Sequence, residues 1–177
     1  MASLLVLRHA KSESPHGAPA DHDRPLAPRG LRDAPRMALH LAHAAPRPSR
    51  ILCSTALRTR QTLDAVLAAL PAPLPRVCLD PELYLATAGR LLTLLRALPA
   101  ETSHVLLVGH NPGLEQLVQG LTGEAEPAAR ARLDEGLKTA TLAVLELPRS
   151  WAELRPASAR LTALVRPRDL DEDDEGT

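Results

Sequence analysis

Two short apolar runs, each stopped by a histidine, constrain the fold of this chain more than any other feature. Leu4, Leu5, Val6 and Leu7 run without polar alternation into Arg8 and His9, and Val105, Leu106, Leu107 and Val108 run into Gly109 and His110. Unbroken runs of this length suit strands buried on both faces of a parallel sheet, since a strand with one wet face would alternate. Such strands deliver the residues that follow them to the carboxyl edge of the sheet, where open α/β folds bind ligands. Arg8, His9 and His110 are therefore candidate site residues by position. Asn111 and Pro112 then read as N-cap and first helical residue of the next helix.

The rest of the chain alternates loop, helix and strand patterns. Residues 10–29 hold Pro15, Gly17, Pro19, Pro25 and Pro28 and read as a loop at the sheet edge. A helix is expected from about Asp33, as N-cap ahead of Pro35, to Ala45. Ile51–Cys53 reads as a second buried strand, with Ser54 and Thr55 as caps for a helix that carries Arg58 in its first turn. Val77–Leu79 gives a third short strand, followed by an edge loop over 80–86 that contains Glu82. Thr87 caps a helix returning the chain to the 105–108 strand. The helix after His110 ends near Gly120 and Gly123, a further helix covers 126–135, and 139–147 with 161–165 form a hairpin-like pair. Residues 1–168 are thus expected to form one α/β domain, and the acidic run 169–177 a disordered tail.

Composition narrows the function. At 177 residues the chain is long enough for one proper core. Lysine plus arginine equals aspartate plus glutamate at 21 each, so no global field argues for nucleic acid or membrane. With no Phe, one Trp and one Tyr there is no aromatic platform for stacking bases, which excludes single-stranded nucleic acid as substrate. Cys53 and Cys78 sit in apolar stretches and read as two buried thiols in a reducing, cytoplasmic compartment. No stretch approaches membrane length, and the N-terminal run is too short for a signal peptide. His16, His22, His40, His43 and His104 make no ligand spacing with carboxylates or thiols, so neither a metal nor a cofactor is expected.

What the layout can gather at the sheet edge is an anion site. Arg8 and Arg58 supply planar donor forks, and the helices after residues 54 and 110 supply positive amino ends, a set matched by the oxygens of a phosphoryl group. A histidine among such cations is kept neutral, leaving a lone pair that can attack phosphorus and become phosphohistidine. Lys11 and Arg24 read as rim charges that steer and bind the anion, and Asp23 as the partner of an arginine. A cysteine phosphatase would need an arginine six positions after its nucleophile, and Cys53 has Thr59 there.

On these residues the chain resembles a known family. The strand ending in Arg-His-Ala-Lys-Ser at Arg8–Ser12, the Asp-Arg-Pro-Leu at Asp23–Leu26, the stretch from Ser54 to Thr62 and the Val-Gly-His-Asn-Pro from Val108 resemble the histidine phosphatase superfamily, which includes the phosphoglycerate mutases. The short length, the Glu-Leu-Tyr at Glu82 and the Arg-Pro-Arg-Asp-Leu ending at Leu170 look most like its small SixA-type phosphohistidine phosphatase branch. The resemblance implies a phosphoglycerate-mutase-like α/β sandwich with a mostly parallel central sheet flanked by helices on both faces. It also implies His9 as nucleophile, Arg8 and Arg58 as phosphate clamps and His110 as a second phosphate-binding histidine. The expected activity is a phosphatase working through a phosphohistidine intermediate on phosphohistidine carried by a protein. A phosphatase for a small phosphorylated metabolite and a silent phosphoprotein-binding module are the alternatives. The chain departs from the family pattern at Ala27, where a hydroxyl cap is common, and after the third strand, where larger members insert a segment bearing a carboxylic acid. Glu82 stands here as candidate acid or as loop salt-bridge partner.

Overall fold

The strand that opens the chain, β1 (Ala2–Arg8), is the central strand of a seven-stranded sheet in the computed structural model, which describes residues 2–16, 20–147 and 150–172. After it come α1 (Pro28–Ala44), β2 (Arg50–Ser54), α2 (Leu57–Ala69), β3 (Arg76–Asp80), α3 (Ala88–Arg96) and β4 (His104–Gly109). The second half adds α4 (Gly113–Leu121), β5 (Thr122–Ala125), α5 (Pro127–Asp134), β6 (Leu142–Leu147), β7 (Ala159–Val165) and α6 (Asp169–Glu172). The sheet order is β3-β2-β4-β1-β6-β7-β5, and only β6 runs against the others. This is the mostly parallel α/β sheet expected from the two apolar runs.

Both faces of the central strands are buried, which is why they carry no polar alternation. Leu4 and Val6 of β1, with Val105 and Leu107 of β4, enter one core together with Leu91, Leu95, Leu114 and Leu117 of α3 and α4. Leu5, Leu7, Leu106 and Val108 enter a second core with Met37 and Leu41 of α1 and Leu63 and Val66 of α2. The register then places the site. Arg8 pairs with Gly109, so the residues that leave the two strands next, His9 and His110, emerge side by side. Cys53 pairs with Val108, which brings Ser54 to the same edge.

Several expectations change at the element ends. α1 starts at Pro28, a turn and more before Asp33, because Ala27 N–H bonds Lys11 O at 2.9 Å and Pro28 presets the first helical φ. Gly30 makes this start possible, since a Cβ there would stand 2.1 Å from Lys11 O. Asp33 is a buried helical residue paired with Arg29 instead of a cap. Neither Ser54 nor Thr55 caps α2, whose N-cap is Ala56. Pro112 and not Asn111 is the N-cap of α4. Thr87 does cap α3, accepting from Arg90 N–H. β6 and β7 pair antiparallel, as a hairpin-like pair should.

Two larger differences concern the chain's ends and edges. Cys53 is buried as expected, but Cys78 is exposed, because β3 is the outermost strand and has a neighbour on one side only. Residues 169–172, expected within a disordered tail, form a docked helical turn. Asp169 caps Arg166 N–H at 2.8 Å and pairs with Arg132, Asp171 pairs with Arg36, and Leu170 packs on the second core. Residues 173–177 lie outside the described residues.

Candidate active site

A cavity of about 350 Å³ opens at the carboxyl edge of the central strands, where α2 and α4 both begin. Arg8, His9, Lys11, Arg24, Arg58 and His110 all line it, so six of the seven residues singled out in the sequence meet in one place. Asp21, Ser12, Asn111, Thr139 and Leu85 complete the lining. Glu82 is the exception: its carboxylate pairs with Arg90 of α3, and it is not among the residues that line the cavity.

His9 is held by the backbone around it. Its N–H bonds Gly109 O at 3.2 Å, and Ala140 N–H bonds both Arg8 O and His9 O. Its ring Nδ1 lies 2.7 Å from Ala10 O, an acceptor only, so Nδ1 carries the proton and Nε2 keeps the lone pair. Burial lowers the ring's pKa from 6.5 to about 4, the bond to Ala10 works the other way, and Arg58, Arg8 and Arg24 add to the lowering. The ring is thus neutral at physiological pH, and desolvation outweighs the surrounding cations as the cause.

His110 faces it, with ring centroids 5.3 Å apart and planes at 57°. Its Nε2 sits 2.7 Å from Ser54 Oγ, and its Nδ1 is buried without a hydrogen-bond partner among the described residues. Burial, then His9, then Arg58 push its pKa down to about 3. Both histidines are uncharged, and the positive charge of the site belongs to Arg8, Arg24, Arg58 and Lys11.

The arginines are anchored from behind. Arg58 is 2% exposed, and the carbonyl of this residue accepts from Thr62 Oγ1, which in turn accepts from Ala10 N–H at 3.1 Å. One threonine a turn along α2 thereby ties the segment that carries His9 to the helix that carries Arg58. Arg8 donates through Nη1 to Leu137 O at 2.8 Å, and burial lowers its pKa against the pull of Glu115. The Nε atoms of both arginines are buried with no partner among the described residues.

Sequence reasoning missed Asp21 and the use made of Tyr84. Asp21 sits in a 3-10 turn, Asp21–Asp23, and its Oδ2 accepts from Arg58 Nη2 at 3.1 Å and from the Tyr84 hydroxyl. Its Oδ1 accepts from Arg24 Nε at 2.9 Å, and its main-chain oxygen accepts from Arg58 Nη1 at 2.6 Å. The Tyr84 bond, ahead of Arg58 and Arg24 and against partial burial, takes the Asp21 pKa to about 2. Burial and the same carboxylate raise the Tyr84 hydroxyl. The arginine partner is therefore Asp21, and Asp23 pairs with His22 instead. Tyr84 also stands edge-on to His110, ring centroids 5.4 Å apart, and under the Arg58 guanidinium at 5.8 Å. No group of three or more His, Cys, Asp or Glu that could hold a metal ion occurs among the described residues.

Comparison with known proteins agrees with this geometry. Residues 4–84 match the family model of the histidine phosphatase superfamily (branch 1). An uncharacterized protein of Mycobacterium leprae is 36% identical over 166 residues, covering 92% of this chain and all of its own. SixA of Nakamurella multipartitia superposes with a TM-score of 0.79 at 35% identity, over 94% of this chain and 96% of its own. The protein histidine phosphatase SixA in complex with tungstate gives 0.75 at 27% identity, over 95% and 99%. With this likeness along nearly its whole length, the chain belongs to the histidine phosphatase superfamily and is one of its SixA-like phosphatases.

Proposed function

We propose that the protein removes phosphoryl groups from phosphohistidine displayed on a protein, with His9 as the covalent nucleophile. The observation that carries this reading is the state of His9: a buried, neutral ring whose Nδ1 is tied to Ala10 O, leaving Nε2 as a lone pair in a cavity flanked by Arg8 and Arg58. Nε2 attacks phosphorus, the P–N bond to the substrate imidazole breaks, and that imidazole leaves with a proton from solvent. Water then attacks phospho-His9, releasing inorganic phosphate and restoring the ring. Arg8, Arg58 and His110 bind the equatorial oxygens, on which charge accumulates in the transition state, and Lys11 and Arg24 draw the anion in.

The choice of phosphohistidine over a phosphate monoester rests on the proton donor. An alkoxide leaving group needs an enzymic acid, whose contribution is typically ~10²–10⁴-fold. Among the described residues Asp21 is the one carboxylate lining the cavity, and with a pKa of about 2 it is ionised at neutral pH. Glu82 is occupied by Arg90 outside the lining. An imidazole leaving group takes its proton from water near neutral pH and needs neither. Likeness to SixA, whose structure holds tungstate, an oxyanion shaped like phosphate, supports the same reading.

The test is to incubate the protein with a histidine peptide carrying labelled phosphate on its imidazole and to quench in alkali. Label on His9 in the native protein, and loss of turnover in a folded His9→Ala variant, are expected. Label on another residue would remove His9 from the mechanism, and binding without turnover would make the protein a phosphoprotein-binding module.

A further inference from the structure

The free edge of the sheet carries a self-complementary pattern. β3 pairs with β2 alone, and four of its five residues are exposed, with Val77 at 37% and Leu79 at 48%. Soluble proteins usually blunt such an edge by short length, charged side chains, proline, a bulge or a covering helix, and of these β3 has its five-residue length and the terminal charges of Arg76 and Asp80. β3 has no lysine or proline, and its register with β2 is regular from Arg50↔Arg76 to Ser54↔Asp80.

The backbone direction of each residue follows from one bond. Arg76 donates its N–H to Ser49 O at 3.3 Å, on the β2 side. By the alternation of a strand, Cys78 and Asp80 also turn their main-chain groups to β2, while those of Val77 and Leu79 point outward. The order of the strand is Arg-Val-Cys-Leu-Asp. Antiparallel pairing with a second copy, centred on Cys78, sets Arg76 opposite Asp80 of the second copy and Val77 opposite Leu79 of the second copy, twice over by symmetry. The outward-facing residues are then the hydrogen-bonded pairs, and the two Cys78 residues meet at a non-hydrogen-bonded position, where side chains approach most closely.

We propose that β3 is a homodimerisation edge, on which two copies join antiparallel about Cys78 into one continuous sheet. Charge complementarity selects a second copy as the occupant: every outward bond, apolar pair and ion pair is matched by the strand itself, as a two-fold interface requires. A parallel pairing of the same strands would leave the arginine and the aspartate unmatched. Two five-residue strands are a small contact, so the dimer is concentration-dependent. The active-site cavity contains no β3 residue and is not part of this interface.

Sedimentation velocity over a concentration series, combined with diamide cross-linking, tests the proposal. Wild-type protein should pass from monomer to dimer. Diamide should take the two thiol hydrogens of facing Cys78 residues, being itself reduced to the hydrazine, and leave an intermolecular disulfide that is absent in Cys78→Ser. The facing Cα atoms would stand about 4.5 Å apart, at the short end of disulfide range. Val77→Pro removes an outward donor and no bond to β2, so the fold and turnover should persist while the dimer dissociation constant rises about tenfold or more. Arg76→Asp should do the same, and Arg76→Asp with Asp80→Arg should recover association, because the swapped pair is again self-complementary. Circular dichroism of each variant confirms folding. Monomer at every concentration, a dimer indifferent to Val77→Pro, or a folded double swap no tighter than Arg76→Asp would overturn the proposal.

Discussion

At the scale of single residues, the site sets neutral imidazoles beside charged guanidiniums. His9 and His110 are neutral, and the guanidiniums carry the attraction for an anion, so removing one of each kind has different consequences from removing a rim charge. Arg58→Ala should lower kcat/KM by on the order of 10²–10³-fold, since it deletes charge-assisted bonds made most strongly in the transition state. Glu82→Gln, which breaks an exposed pair with Arg90, should leave phosphohistidine hydrolysis within about twofold of wild type. Steady-state assays of both variants check this, and a large loss in Glu82→Gln would make that residue the acid after all. The residues that gather here were legible because strand ends and a first helical turn fix direction. Asp21 was not: the choice between Asp21 and Asp23 is made by the phase of a single 3-10 turn, which composition does not reveal. Tyr84 was visible as part of a family motif, but its hydrogen bond joins loops 63 residues apart.

At the scale of elements, two glycines on α4 make opposite predictions. A Cβ on Gly113 would stand 1.9 Å from Ala86 O, a main-chain atom that has no rotamer in which to yield. Gly113→Ala should therefore push the start of α4, and His110 with it, away from the loop before α3, lowering both melting temperature and turnover. A Cβ on Gly120 meets nothing within 4 Å, so Gly120→Ala should raise stability by up to ~1 kcal/mol through helix propensity alone. Thermal melts of the two variants, with turnover measured in parallel, decide the matter. The same close approaches explain which boundaries sequence could read. The central strands and the helix faces were legible from apolar spacing. The start of α1 was not, because the contact that sets it runs from Lys11 to Ala27 and needs Gly30 to be bare. The exposure of β3 was also hidden, since Val77, Cys78 and Leu79 look as apolar as a core strand and their position at the edge is a property of the whole sheet.

For the whole molecule, burying two neutral histidines ties stability to pH. Folded His9 titrates at about 4 and folded His110 at about 3, against 6.5 for an ordinary histidine. Between those values the unfolded chain binds more protons than the native one, so stability falls as pH is lowered from about 6.5 toward 4. Melting temperature should drop over that window, and the slope should flatten in His9→Gln and in His110→Gln. A slope unchanged in both would mean the rings titrate normally in the folded state. The register that joins Arg8 to Gly109 reaches further still. Its two strands come from opposite halves of the chain, and no local hairpin or single helix can bring His9 to His110. The site is accordingly expected to form only once that non-local pairing is made. Recovery of oxyanion binding after refolding should lag behind helix formation and report the moment at which the central sheet closes.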